Sequence, residues 1–174
     1  MGNFYTNFAI LGTDEEKAIA FFKQKRRRAY IVSDPDGFTI AYDRDCEDQD
    51  LEEIEQLGQD LSENLGSIVL SSLNHDDDHL LLRLFVKGEC VGAYNSFIDA
   101  PKMSFNLAKY FRRWGALPST FLILAAPWLL FQVWRHYLLV KSLGLPLCCV
   151  GAGYEYISKG DVPAGLDKEQ IRKI

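Results

Sequence analysis

Apolar and polar positions alternate between two periods along the first hundred residues of this chain. Phe4 to Leu11 is an apolar, aromatic run ending at Gly12, which reads as a strand. Thr13-Asp14-Glu15-Glu16 then fits a capping box, in which hydroxyl and carboxylate each satisfy an orphaned amide. Ala18, Ile19 and Phe22 share one helical face, so the spacing predicts a helix over about residues 14–26. Arg28 to Ser33 and Phe38 to Asp43 flank Asp34-Pro35-Asp36-Gly37. Proline presets one turn torsion and glycine accepts a positive φ, so these runs predict a β-hairpin. Leu51, Ile54, Leu57, Leu61 and Leu65 form one apolar stripe at helical spacing. Asp48 or Asp50 caps its start and Gly66 its end. Ile68 to Leu73, Leu80 to Val86 and Cys90 to Asn95 read as three more strands, the last two joined by Lys87-Gly88-Glu89.

The predicted order is βαββαβββ. Its first six elements match a ferredoxin-like, split-βαβ unit, and the last two extend the sheet as a meander. The expected fold is α+β in one domain, residues 1–174, with an antiparallel-rich sheet and a helical C-terminal third. Phe105 to Phe111 suggests a short helix, and residues 127–143 a longer one whose polar side carries Gln132, Arg135 and Lys141. Gly115 to Trp134 holds twenty residues without a charge, enough in principle to span a bilayer. Pro118, Ser119, Thr120, Pro127 and Gln132 interrupt it, and Pro127 would break or kink a helix, so a buried core segment is expected instead. Leu147 to Val150 reads as a last strand. Residues 151–174 read as a tail with a short helix from Asp167.

Composition narrows the class. With 48% hydrophobic, 13% aromatic and 25% charged residues, the chain has ordinary globular usage. A net charge of −5 gives no overall attraction for phosphate backbones, so nucleic acid is not an expected partner. The basic run Lys23, Lys25, Arg26, Arg27 and Arg28 falls at a helix end, where cations complement the dipole and face water. Cys46, Cys90, Cys148 and Cys149 include no CxxC, and no secretory leader is visible. Reduced thiols in a cytoplasmic protein follow, buried and inert where they lie in apolar runs. The start Met1-Gly2-Asn3-Phe4-Tyr5-Thr6 fits a loose myristoylation pattern that is often matched by chance, and the first strand is the preferred reading.

Candidate chemistry centres on Asn74-His75-Asp76-Asp77-Asp78-His79, five consecutive ionisable side chains between two strands. Carboxylates and imidazoles are standard metal ligands, yet the spacing fits no compact metal motif. Consecutive strand residues alternate faces, so they would not converge on one ion. A solvated turn rich in Asn and Asp is the ordinary reading. His136 lies mid-helix, and Gly151-Ala152-Gly153 lacks the third glycine of a dinucleotide fingerprint and precedes a Tyr-rich stretch that reads as a strand rather than a helix, so phosphate cradling is not expected. No nucleophile motif is present. Tyr94-Asn95-Ser96 and Tyr154-Glu155-Tyr156 suggest an interaction surface, or equally half-buried strand residues.

The segments Leu73 to Asp78, Ala93 to Ser96, Leu143 to Pro146 and Val150 to Ile157 resemble the landmarks of a functionally uncharacterised group of bacterial proteins of similar length. That resemblance implies a complete, soluble, one-domain protein. It transfers no activity, cofactor or catalytic residue.

Two functions are therefore open. The first is a small cytoplasmic binding module, without cofactor or metal, which engages a protein partner. The second is a metal-dependent or acid–base hydrolase built on His75, Asp76, Asp78 and His79. The surface residues in question are His75, Asp76, Asp78, His79, Tyr94 and Asn95. An enzyme would draw His75, Asp78 and Tyr94 into one cleft, whereas a binding module would leave the 75–79 block in solvent.

Overall fold

The computed structural model describes residues 2–34, 37–96, 136–138, 140–141 and 144–174. Seven of their segments pair into one antiparallel sheet. They are β1 (Tyr5–Leu11), β2 (Ala29–Ser33), β3 (Phe38–Asp43), β4 (Ile68–His75), β5 (His79–Val86), β6 (Glu89–Asn95) and β7 (Arg172–Lys173). The spatial order is β6-β5-β4-β1-β3-β2-β7. The first strand is thus central, with Tyr5 opposite Asn74 on one side and Phe8 opposite Ala41 on the other.

Two helices, α1 (Glu15–Gln24) and α2 (Leu51–Asn64), cover one face. Strand residues Phe8, Ile10, Ile31, Ala41, Val69 and Phe85 meet Ile19, Phe22, Ile54, Leu57 and Leu61 there. The alternate strand residues face the other way. Ala9, Ile40, Tyr42, Leu70, Leu82 and Tyr94 form a second core closed by Val140, Leu145, Cys148, Cys149, Ala152 and Ile157. Burial on both faces explains why β1 and β3 read as continuous apolar runs.

The α2 stripe packs as its period requires, with Leu51 alone left 46% exposed at the helix start. Asp50 caps that start by accepting from the amide of Glu52 at 2.8 Å. Gly66, at φ +63, follows the other end in the left-handed conformation that glycine adopts freely. Gly58 sits mid-helix because a Cβ there would lie 2.3 Å from the ring of buried Phe85. An alanine ordinarily stabilises a helix by about 1 kcal/mol over glycine. Gly58→Ala is expected to do the reverse, destabilising by about 1–3 kcal/mol through overpacking. Denaturant melts check this, and a stabilised variant would show that Phe85 moves aside freely.

Four expectations change. Asp14, not Thr13, caps α1, its carboxylate accepting from the amide of Lys17 at 2.8 Å; the S/T-x-x-E pattern was satisfied one residue too early. Leu147–Cys149 is a 3₁₀ turn rather than a strand. Cys148 and Cys149 pack on the sheet while Leu147 is exposed, and the Pro146 carbonyl takes the amide of Cys149 at 3.1 Å. Residues 151–174 are more than a tail: besides the short helix expected from Asp167, which is a 3₁₀ turn (Lys168–Gln170) capped by Asp167, they contain a helix, α3 (Tyr154–Ser158), and the edge strand β7 paired with Tyr30 and Ile31. Cys90 is exposed on β6 rather than buried.

The basic run is corrected as well. Arg27 is drawn in beside Asp43, whose side chain is 0% exposed, through bonds of 2.9 and 2.6 Å. Glu53 is a second partner of the same guanidinium. These carboxylates hold its proton more tightly than usual, against the opposing effect of burial. Asp43 also accepts the amide of Cys46 at 3.0 Å. The ion pair thereby fixes the 3₁₀ turn Asp45–Asp48 that follows β3.

The helices expected around Phe105 and from residue 127, and the uncharged stretch 115–134, lie largely outside the described residues. His136, Tyr137, Leu138, Val140 and Lys141 are helical. Among the described residues, no helix is long and apolar enough to cross a membrane.

Candidate functional site

At the end of the sheet where β1 begins and β3 and β4 finish, four segments enclose an open cleft of about 650 Å³. Residues 2–4 enter β1, Glu47 to Gln49 close the turn after β3, His75 ends β4, and residues from Gly151 to Asp161 cross above.

The acidic turn forms one side. Asp76 and Asp77 both have positive φ, 54° and 59°, and the amide of Asp78 donates to the carbonyl of His75 at 3.1 Å. This is the geometry that matches the twist of a hairpin, and Asp tolerates it. The turn faces water, with His75, Asp76 and Asp78 exposed, yet two of its carboxylates are engaged. Asp76 accepts from the amide of Gly2 at 3.1 Å, and Asp77 accepts from the Asn3 side chain at 3.1 Å. Buried Asn74 ties the two segments together by donating to the carbonyl of Asn3 at 2.8 Å and to Asp77 at 3.2 Å.

The opposite side rests on Glu47. Its carboxylate accepts the amides of Tyr154 and Glu155 at 2.9 and 3.2 Å, anchoring the start of α3. Burial pushes this carboxyl up from its ordinary value, partly countered by the two amides. Gly153 permits the approach, since a Cβ there would lie 2.6 Å from a Glu47 oxygen.

A buried polar layer seats the segment before α3 on the sheet. Asn7 donates to the carbonyls of Cys149 and Ala152 at 2.8 and 3.0 Å, and the Tyr42 hydroxyl donates to the carbonyl of Cys148 at 2.8 Å. These bonds press residues 148–152 onto the sheet. The Tyr5 hydroxyl lies 2.7 Å from Nδ1 of His136, and the two rings stack. Burial lowers the pKa of His136 to about 3 and raises that of Tyr5.

The surface residues expected from the sequence do not gather here as a set. His75 lines the cleft and Asp76 borders it through Gly2. Asp78 is not part of the cleft lining, and half-buried His79 stacks against His75 with ring centres 6.2 Å apart. Tyr94 and Asn95 belong to β6, three strands from β1. Tyr94 is fully buried opposite Leu82 in the second core, so it is no part of a surface; its strand parity, not its type, decides this. Among the described residues, no three His, Cys, Asp or Glu side chains are grouped where they could hold a metal ion.

Sequence reasoning missed Phe4, Glu47, Gln49, Lys159 and Asp161, all in the cleft lining. Tyr156 lies in the tyrosine pair suspected of interaction, and it is 40% exposed at the rim. Tyr154 turns inward instead, its ring 4.9 Å from that of Tyr30. The lining therefore carries Phe4, His75 and Tyr156 as rings, with Glu47, Asp48, Glu155 and Asp161 as carboxylates. One ammonium, Lys159, is paired with Glu155 at 2.9 Å on the same helix. No family model matches the chain, and no curated protein or solved structure shows a significant match to it.

Proposed function

We propose that this protein is a binding module whose cleft takes a cationic side chain from a partner protein. One observation carries this reading. Among the described residues four large hydrophobic side chains are exposed, and two of them, Phe4 at 52% and Tyr156 at 40%, line the same cleft as four carboxylates. Aromatic faces attract cations, and carboxylates complete their recognition. An anionic ligand would meet mostly like charge there. Gly153, Glu47 and the turn at Asp76 hold the walls through backbone bonds, so the cleft is preformed.

The hydrolase alternative is less well supported. Of His75, Asp76, Asp78 and His79, only His75 lines the cleft. We also read the first six elements as a ferredoxin-like unit, which the antiparallel order β4-β1-β3-β2 with intervening helices supports. Three buried free thiols, Cys46, Cys148 and Cys149, support a cytoplasmic location.

Fluorescence anisotropy with two labelled peptides tests the reading: Gly-Arg-Gly-Arg-Gly and Gly-Glu-Gly-Glu-Gly. The arginine peptide is expected to bind, more weakly as salt rises. Asp48→Asn with Asp161→Asn is expected to weaken it about three- to tenfold, as two exposed charges of up to about 1 kcal/mol each allow. Equal binding of both peptides would overturn the proposal.

A further inference from the structure

We propose that His75 presents an unprotonated Nε2 to this cleft as the acceptor for the ligand's cationic N–H, and that Gln49 is the positioning residue that sets this tautomer. The inference rests on the cation-binding reading above and adds the group that discriminates among ligands.

The side-chain amide of Gln49 has a fixed orientation. The side-chain Nε2 of Gln49 lies 2.8 Å from the carbonyl oxygen of Asn74. A carbonyl only accepts, so turning the amide round would set two oxygens against each other. The Oε1 of Gln49 therefore faces Nδ1 of His75, 2.6 Å away. An amide oxygen has no proton to give, so Nδ1 must carry it. In the neutral ring that leaves Nε2 as a lone pair.

The ring is also held in place. The Phe4 ring meets it edge-on at 4.7 Å and 83°, and His79 stacks at 6.2 Å and 27°. Gln49 reaches β4 from a left-handed backbone, φ 60°, at the close of the 3₁₀ turn Asp45–Asp48. That conformation is uncommon for a residue with a side chain. Glycine would adopt it freely but could not orient the imidazole.

The cleft then offers a coherent set of acceptors. His75 Nε2 adds a neutral acceptor to the carboxylates of Asp48 and Asp161, in a lining that also carries the rings of Phe4 and Tyr156. A guanidinium suits this set better than a compact ammonium. Its planar fork of five N–H donors can bond several acceptors at once while stacking on an aromatic face. The ligand class is a guanidinium-bearing group, meaning an arginine side chain of the partner.

The test is a long-range proton–nitrogen correlation spectrum of protein labelled with ¹⁵N in its imidazoles, titrated with N-acetyl-arginine amide. His75 is assigned by its loss in His75→Gln. Its Nε2 is expected to resonate as an unprotonated nitrogen and to shift as the probe binds. Gln49→Leu should mix the tautomers and weaken the probe about fivefold. The weaker binding should appear without a comparable loss of thermal stability, which a merely structural role would not give. A protonated Nε2 in the free protein would overturn the inference. So would an unmoved Nε2 while backbone amides around the cleft do shift, an outcome that leaves the cleft reading standing. If N-acetyl-arginine amide shifts no cleft resonance at all, both fall together.

Discussion

Arg27→Met is expected to destabilise the protein by about 3–5 kcal/mol in urea melts, the usual result of stripping the partner from a buried charge. Asp43 has a side chain with 0% exposure, and Arg27 supplies two of its hydrogen bonds. Removing the guanidinium leaves a carboxylate facing the core beside Cys46, with the Cys46 amide as its remaining bond. The effect should reach the cleft, because the turn bearing Glu47, Asp48 and Gln49 hangs from Asp43. Adding Asp43→Asn to Arg27→Met should recover part of the loss, since the second change removes the stranded charge. A loss below about 1 kcal/mol for the single variant would mean that Asp43 finds water instead.

The second large effect is on acid stability. His136 is buried, with a folded pKa near 3 against an unfolded value of about 6.5. The folded state therefore binds fewer protons than the unfolded one throughout that interval. The stability associated with the neutral ring is fully present above about pH 6.5 and is lost as pH falls toward 3. At pH 4 the loss amounts to about 3 kcal/mol. Carboxylates titrate in the same range, so the readout is the difference between wild type and His136→Asn. Asparagine keeps an acceptor for the Tyr5 hydroxyl but takes up no proton. The variant should lose less stability than wild type between pH 7 and pH 4. Parallel pH profiles would show that His136 takes up its proton as readily in the folded protein as in the unfolded chain.

How much of this was legible follows from the range of each signal. The α2 stripe is a local pattern with a 3.6-residue period, and four of its five residues, Ile54, Leu57, Leu61 and Leu65, pack where that period puts them. The hairpin at Asp34-Pro35-Asp36-Gly37 is equally local: the amide of Asp34 bonds the carbonyl of Phe38 at 2.8 Å. The edge strand β7 was not legible. Arg172 and Lys173 are exposed and carry no apolar pattern, and their partners lie more than 140 positions earlier. Arg27 read as a solvated helix end because nothing local marks Asp43 and Glu53 as its partners.

The same holds for the site. His75 stood out as an ionisable residue in a turn, and it does line the cleft. Glu47, Gln49 and Asp161 did not, because the cleft exists only once sheet register brings residues 2–4, 47–49, 75 and 151–161 together. Tyr94 shows the converse. A tyrosine near a turn looks like surface, but its strand parity turns it into the second core.

The central claim is that the cleft at the start of β1 is where this protein meets a cationic ligand. Backbone amide shift mapping of ¹⁵N-labelled protein titrated with N-acetyl-arginine amide tests it most directly. Saturable shifts are expected, confined to residues 2–4, 47–49, 75 and 151–161, with none under N-acetyl-glutamate amide. Shifts centred instead on the groove between Gly66 and Val91 at the other end of the sheet, or no shifts with either probe, would contradict it.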